Sequence, residues 1–310
     1  LQPGVARTLA YVYRQQGLLS LAADEYERME REFTDDTLRQ EALLTAAELH
    51  EKAGSQGRAL AAYRRSVELF PHPLEPNLET RVRIADMLKK GNDQNGYLAE
   101  LGQIVAVETA AGSERSPRTR AVAAQAALVL AERSFSRFAE AKLVEPFEAS
   151  LNRKKELMKV ASRQFSGLVD YEIGTVTAAA IYYLAEIYAG FSRDLMESER
   201  PKGLSAAEQE EYDLALEEQA YPFEEKAIAT HQSNLELVLR GVYNEWIDKS
   251  LDKLARLVPA RYDKPEEESQ VIATLDRYVF TIGHTGPAAQ AGAKQGPKLG
   301  LNSTGGKGAL

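Results

Sequence analysis

Four histidines and one dense run of carboxylates are the residues of this chain that could do metal or acid–base chemistry. The histidines are His50, His72, His231 and His284. A zinc peptidase needs two imidazoles a helical turn apart around a glutamate, as His-Glu-x-x-His. Here His50-Glu51 runs on to Ala53-Gly54. A carboxylate-bridged di-iron bundle needs Glu three residues before His, and those positions hold Ala47, Leu69, Ile228 and Thr281. The chain has no cysteine, which removes disulfides, thiolate ligands and thiol nucleophiles. Gly300–Lys307 loosely resembles a phosphate loop. Its spacing is one residue off, Gly308 stands where Ser or Thr would be needed, and no strand precedes it. No cofactor and no metal are therefore expected. The acidic run is Glu208, Glu210, Glu211, Glu217, Glu218, Glu224 and Glu225. The seven-residue spacings Glu211/Glu218 and Glu217/Glu224 would put each pair on one side of a continuous helix, although Pro222 interrupts the second. A solvated or ion-paired helix face is the simpler reading, and an enzyme built on this run is the rival.

Helices must position whatever these residues do. Of the 310 residues 44% are hydrophobic and 27% charged, enough for a core and a soluble surface. Ala, Leu, Glu, Arg and Gln dominate, all good helix formers, and strand-like alternation of Val, Ile and Thr is almost absent. An all-α protein is predicted. The net charge of −8 argues against a general nucleic-acid binder, which would present a basic face. No apolar run reaches the roughly 20 residues of a transmembrane helix. The start at Leu1-Gln2-Pro3 suggests a mature or truncated piece of a longer chain.

Gly17, Gly54 and Gly91 recur at 37-residue intervals. Ala22 and Ala59 lie five residues after the first two glycines, and Tyr26 and Tyr63 nine after. An interval in the thirties with small and aromatic residues at fixed offsets is the mark of stacked helical hairpins. Residues 4–75 read as two hairpins and 77–112 as a weaker third. Pro71 stops the second, and Thr37 to Gln40 has capping-box spacing at its start. Ala46, Ala47, His50, Ala59, Tyr63 and Pro71 resemble the consensus of the tetratricopeptide repeat family, and Leu9, Ala10, Tyr13, Ala22 and Tyr26 match it in the first unit. The usual Trp is missing. The resemblance implies that the first helix of each hairpin lines a concave groove. Carried over at the 37-residue step, the groove positions are Arg7, Tyr11, Arg14 and Gln15, then Glu41, Leu44, Glu48, Glu51 and Lys52, then Leu78, Arg81, Ala85, Leu88 and Lys89. Such a groove has mixed charge and suits a mixed-charge peptide or a partner helix. The plain alternative is a solvated inner face. His50 and the single Trp246 are expected in the core.

Beyond Ser116-Pro117 the period fails and longer helices follow: one to Pro146, a second through Leu151 and Leu168, a third from near Ile173 to Phe191. They could be enlarged hairpins continuing the stack. Ser205 to Glu208 is a capping box. Tyr221-Pro222-Phe223 reads as a joint before a helix of about 50 Å from Phe223 to Val258, at about 1.5 Å per residue. A short helix is expected over Glu266–Tyr278, and a disordered tail from Gly283. The domains are thus 1–115, 116–282 and 283–310. The peptides Glu197–Pro201, Leu216–Ala227, Gly241–Trp246 and Pro259–Tyr262 resemble the C-terminal region of Gram-negative envelope tetratricopeptide proteins associated with TonB/ExbB/ExbD-type systems and gliding motility. That resemblance implies a periplasmic or outer-envelope location, TonB/ExbB/ExbD-like partners and a non-enzymatic scaffolding role. A cytosolic adaptor is the alternative.

Overall fold

The computed structural model describes residues 3–264. Among them are twelve α-helices and no strand. They are α1 Pro3–Gln15, α2 Leu19–Glu32, α3 Asp36–Lys52, α4 Gln56–Leu69, α5 Leu74–Lys90, α6 Gln94–Ala110, α7 Pro117–Glu140, α8 Phe147–Leu168, α9 Gly174–Met196, α10 Ala206–Leu235, α11 Glu245–Leu257 and α12 Pro259–Tyr262. Each helix packs on the next, so the described residues form a stack of antiparallel hairpins that bury a series of apolar clusters between neighbours. In addition α5 touches α7, α7 touches α9 and α9 touches α11. From α5 to α11 the odd-numbered helices therefore lie side by side as an inner layer. The stack passes through residue 116 without a break: Ala123 and Ala126 of α7 share one core with Tyr63, Leu78, Ile84 and Ile104. The short helix predicted over Glu266–Tyr278 and the tail from Gly283 fall outside the described residues.

The turns inside the hairpins depend on one residue with positive φ. Gly17 (φ +73°) and Gly54 (φ +76°) hold it in the first two units. The next amide then reaches back to close the helix, Leu18 N to Tyr13 O and Ser55 N to His50 O, both 2.9 Å. In the third unit Gly91 is not the counterpart. Its φ is −78°, and the left-handed residue is Asn92 (φ 58°), followed by Asp93 N to Leu88 O at 2.9 Å. Asn tolerates this conformation better than most side chains. The step from the second unit to the third is thus 38 residues, not 37, and α3 and α5 begin 38 apart as well.

Local start signals are mostly met. Ser116 and Ser205 both form capping boxes, the first with Pro117 at the opening position and the second with Glu208. Helix α3, however, is capped by Asp35, whose carboxylate accepts from Leu38 N at 2.9 Å, not by Thr37. The larger correction concerns Pro222. It is no joint: it lies inside α10, which runs 30 residues from Ala206. Pro222 is exposed, so the carbonyl left without its amide partner can turn to water, while Leu216, Ala220 and Ala227 stay buried. The expected helix from Phe223 to Val258 is accordingly split. It stops in a 3-10 turn, Glu236–Arg240, closed by Gly241 (φ +78°), and restarts where the Asn244 side chain accepts from Trp246 N. Glycine at the stop and asparagine at the cap are the local signals that end and begin helices.

Candidate functional site

The inner layer carries two adjoining hollows. The first lies between α3 and α5, has a volume of about 630 Å³ and is lined by Glu48, Glu51, Lys52, Arg83, Asp86 and Lys90, among others. Its wall is held from behind by Tyr63, a buried residue of α4. Arg83 donates to Glu48 Oε1 at 3.1 Å and to the Tyr63 hydroxyl at 3.0 Å, and that hydroxyl donates to Glu51 Oε2 at 3.2 Å. Burial pushes the Tyr63 phenol up, against the pull of Arg83. The second hollow lies between α5 and α7 with α6 as its floor and measures about 410 Å³. Val82, Tyr97, Leu101, Ile104, Val122 and Val129 make it apolar, with Asp86, Arg118 and Gln125 also in its lining. Asp86 belongs to both hollows.

The sequence-derived groove residues divide by register. Arg7, Tyr11, Arg14 and Gln15 are exposed on α1, and Tyr11 keeps 63% of its surface. On α3, Glu41 and Lys52 are exposed, and Leu44, Glu48 and Glu51 are half-buried. The third set is displaced by the one-residue slip. Leu78 and Leu88 are core residues, Ala85 is buried and reaches only the apolar hollow, and Arg81 turns to α6, where it donates to Glu100 at 2.8 Å. Lys89 leans over the Tyr97 ring at 5.4 Å. At the 38-residue step the counterparts of Glu41, Leu44, Glu48, Glu51 and Lys52 are Glu79, Val82, Asp86, Lys89 and Lys90. The missed signal was Asn92, a residue type almost as suited as glycine to the turn.

The groups with catalytic or metal-binding character lie elsewhere. Asp24, Glu27 and His50 bring one ligand atom each within 4.8 Å of one another, but the Arg58 guanidinium already sits on Asp24 at 2.5 Å and on Glu27 at 3.3 Å. His50 is fully buried with its Nε2 2.9 Å from Glu27. Glu186, His231 and Ser250 line up in the order of a hydrolytic triad, with Ser250 Oγ 3.2 Å from His231 Nδ1 and Glu186 3.4 Å from Nε2. Ser250 and His231 are fully buried, so no substrate reaches the hydroxyl. Lys253 donates to the same carboxylate at 2.6 Å. Burial pushes the Glu186 carboxyl up, yet the nearby His231 and the hydrogen-bonded Lys253 ammonium outweigh it and hold it below its ordinary value. Trp246 is half-buried beside Tyr182 and Tyr183. All seven carboxylates of the 208–225 run are exposed. Glu208 is spent on its cap and Glu225 accepts from Tyr221 at 2.8 Å. Because α10 continues through Pro222, both seven-residue pairs do share a helix side.

Lys154, not singled out by sequence, is the one fully buried lysine or arginine among the described residues. It donates to the carbonyls of Phe138 (2.9 Å) and Ala141 (2.6 Å) at the C-terminal end of α7, and pairs with Asp194 of α9. Burial lowers its pKa, and Asp194 opposes that. It ties three helices together and touches neither hollow.

A hairpin stack with a lined inner face is an all-α fold of TPR-like helical hairpins. No protein-family model matches the chain, and no curated protein sequence does. Its fold is similar to the crystal structure of a TPR repeats protein from Bacteroides fragilis, with a TM-score of 0.52 at 11% identity over 83% of this chain and 99% of that one. A computationally designed self-assembling cyclic homo-oligomer aligns over 83% of this chain and 88% of its own at 16% identity, with a TM-score of only 0.24.

Proposed function

We propose that the chain is a non-enzymatic scaffold whose inner groove binds a partner protein through a segment of mixed charge with an apolar anchor. The observation that carries this reading is the pair of adjoining hollows, one polar and one apolar, with Asp86 in the lining of both. An apolar side chain in the α5–α7 hollow gains by burial, and the charges around Asp86 set orientation and partner choice. The fold supports the same reading, because helical-repeat stacks are commonly binding surfaces. The finer proposal is that this scaffold works in the bacterial envelope, within a TonB- or Tol-like energised complex or its motility relatives, with TonB/ExbB/ExbD-like partners. That rests on the peptides around Pro201, Pro222, Trp246 and Pro259.

Two measurements test it. Affinity capture with the intact protein from envelope extracts should recover a partner, and reversing Arg14, Glu48 or Asp86 should weaken capture about tenfold, the effect of roughly 1.4 kcal/mol. If every reversal leaves the partner bound, the groove is not the site. Fractionation should place the protein in the periplasm or outer envelope. A cytosolic pool would leave the adaptor reading and end the envelope one.

A further inference from the structure

Helices α3 and α5 carry the same row of side chains along the groove. At the 38-residue step that relates them, Leu44, Glu48 and Lys52 of α3 correspond to Val82, Asp86 and Lys90 of α5. Each row reads apolar, acidic, basic at four-residue intervals. That spacing places its members on one side of the helix, about 6 Å apart along the axis. The first unit breaks the row with Arg7, Tyr11 and Gln15, so the pattern does not extend to α1. The four charged members all line the hollow between α3 and α5, and Val82 lines the adjoining apolar one.

These charges are not spent on the fold. An acid and a base four residues apart can pair within their own helix, yet neither Glu48 with Lys52 nor Asp86 with Lys90 does so. Glu48 is met by Arg83 instead, at 3.1 Å. The side chains of Lys52, Asp86 and Lys90 are exposed and have no partner among the described residues. Exposed charges of this kind add little to stability, but across an interface they select the partner and fix its register. The complement of the row is a basic group facing Glu48 and Asp86, an acidic group facing Lys52 and Lys90, and an apolar group beside Val82. Residues four apart on a helix share a face at the same spacing as the row itself. Resting on the groove as the binding surface, we propose that its partner is an amphipathic helix with an apolar, a basic and an acidic residue at successive four-residue steps. Laid along α3 and α5, it meets both rows at once, in the manner of a helix seated in a groove.

Synthetic helices of matched composition test the order of the charges. The probes are fluorescein-labelled alanine-based helices with Leu, Lys and Glu at four-residue steps, one in the order Leu-Lys-Glu and one in the order Glu-Lys-Leu, to allow for either direction along α5. Two controls exchange Lys and Glu. Fluorescence anisotropy with the intact chain at low ionic strength should show at least one probe binding about tenfold tighter than its exchanged control, and the preference should fade in high salt. Asp86→Lys combined with Lys90→Glu inverts the α5 row at exposed positions, so the double variant should lose or reverse the preference with unchanged helical circular dichroism. Equal binding of probes and controls would overturn the charge order and leave the groove itself standing. Binding of none of the four, or a preference that the double variant does not alter, would overturn the row as the recognition element, and the groove would then stand or fall on the capture experiment alone.

Discussion

At the residue scale, the buried charges among the described residues hold helices in place. Lys154 is the sharpest case, a buried ammonium shared by two helix-end carbonyls and Asp194. Removing one partner of a buried pair leaves the other charge stranded, so Lys154→Ala should cost about 3–5 kcal/mol, read as a lowered urea midpoint. Lys154→Met combined with Asp194→Leu should recover most of that loss, because no charge then remains buried. Glu186 gives a pH dependence of definite sign. Its pKa is lower in the folded chain than the ordinary 4.5, so the unfolded chain takes up its proton first. The stability it adds is complete above about pH 4.5 and disappears as pH falls through the lowered folded value. Glu186→Gln should flatten that part of the acid limb in thermal melts at stepped pH. Neither network was legible in the sequence. Lys154 and Asp194 lie 40 residues apart and Glu186 and Ser250 lie 64 apart, and no local pattern encodes which helix faces meet. The histidines could be cleared of familiar metal spacings from the sequence alone, because those motifs are short.

At the element scale, what was legible was what is local: helix formers, apolar period, capping serines, and the prolines after α4 and α7. What misled was punctuation read without geometry. Gly91 repeats the interval but has a right-handed backbone, while Asn92 carries the turn. Gly54→Ala should therefore cost about 1–2 kcal/mol, the penalty for a Cβ in the left-handed region, and Gly91→Ala should be near neutral in chemical denaturation. A large loss at Gly91 and none at Gly54 would reverse the assignment. Pro222 makes the matching point for α10. A proline inside a helix costs about 3 kcal/mol or more, and Pro222 is exposed. Pro222→Ala should raise the melting temperature and slow amide exchange around residues 218–226.

At the scale of the whole molecule, the stack behaves as a row of nearest-neighbour interfaces, so damage to one joint should stay near it. Amide exchange of Lys154→Ala should accelerate in α7, α8 and α9 and leave α1 to α4 protected. Uniform acceleration across the chain would instead mean a single cooperative unit. The same organisation puts the polar and the apolar hollow on different pairs of helices, α3 with α5 and α5 with α7. The one-residue difference between the second and third steps also sets a rule for anyone who exchanges hairpins between repeats. A cassette cut from glycine to glycine would join the third unit one residue out of phase. Every inward side chain would rotate by about 100° around its helix, and groove residues would trade places with core residues. The seam that preserves both faces runs from Gly54 to Asn92.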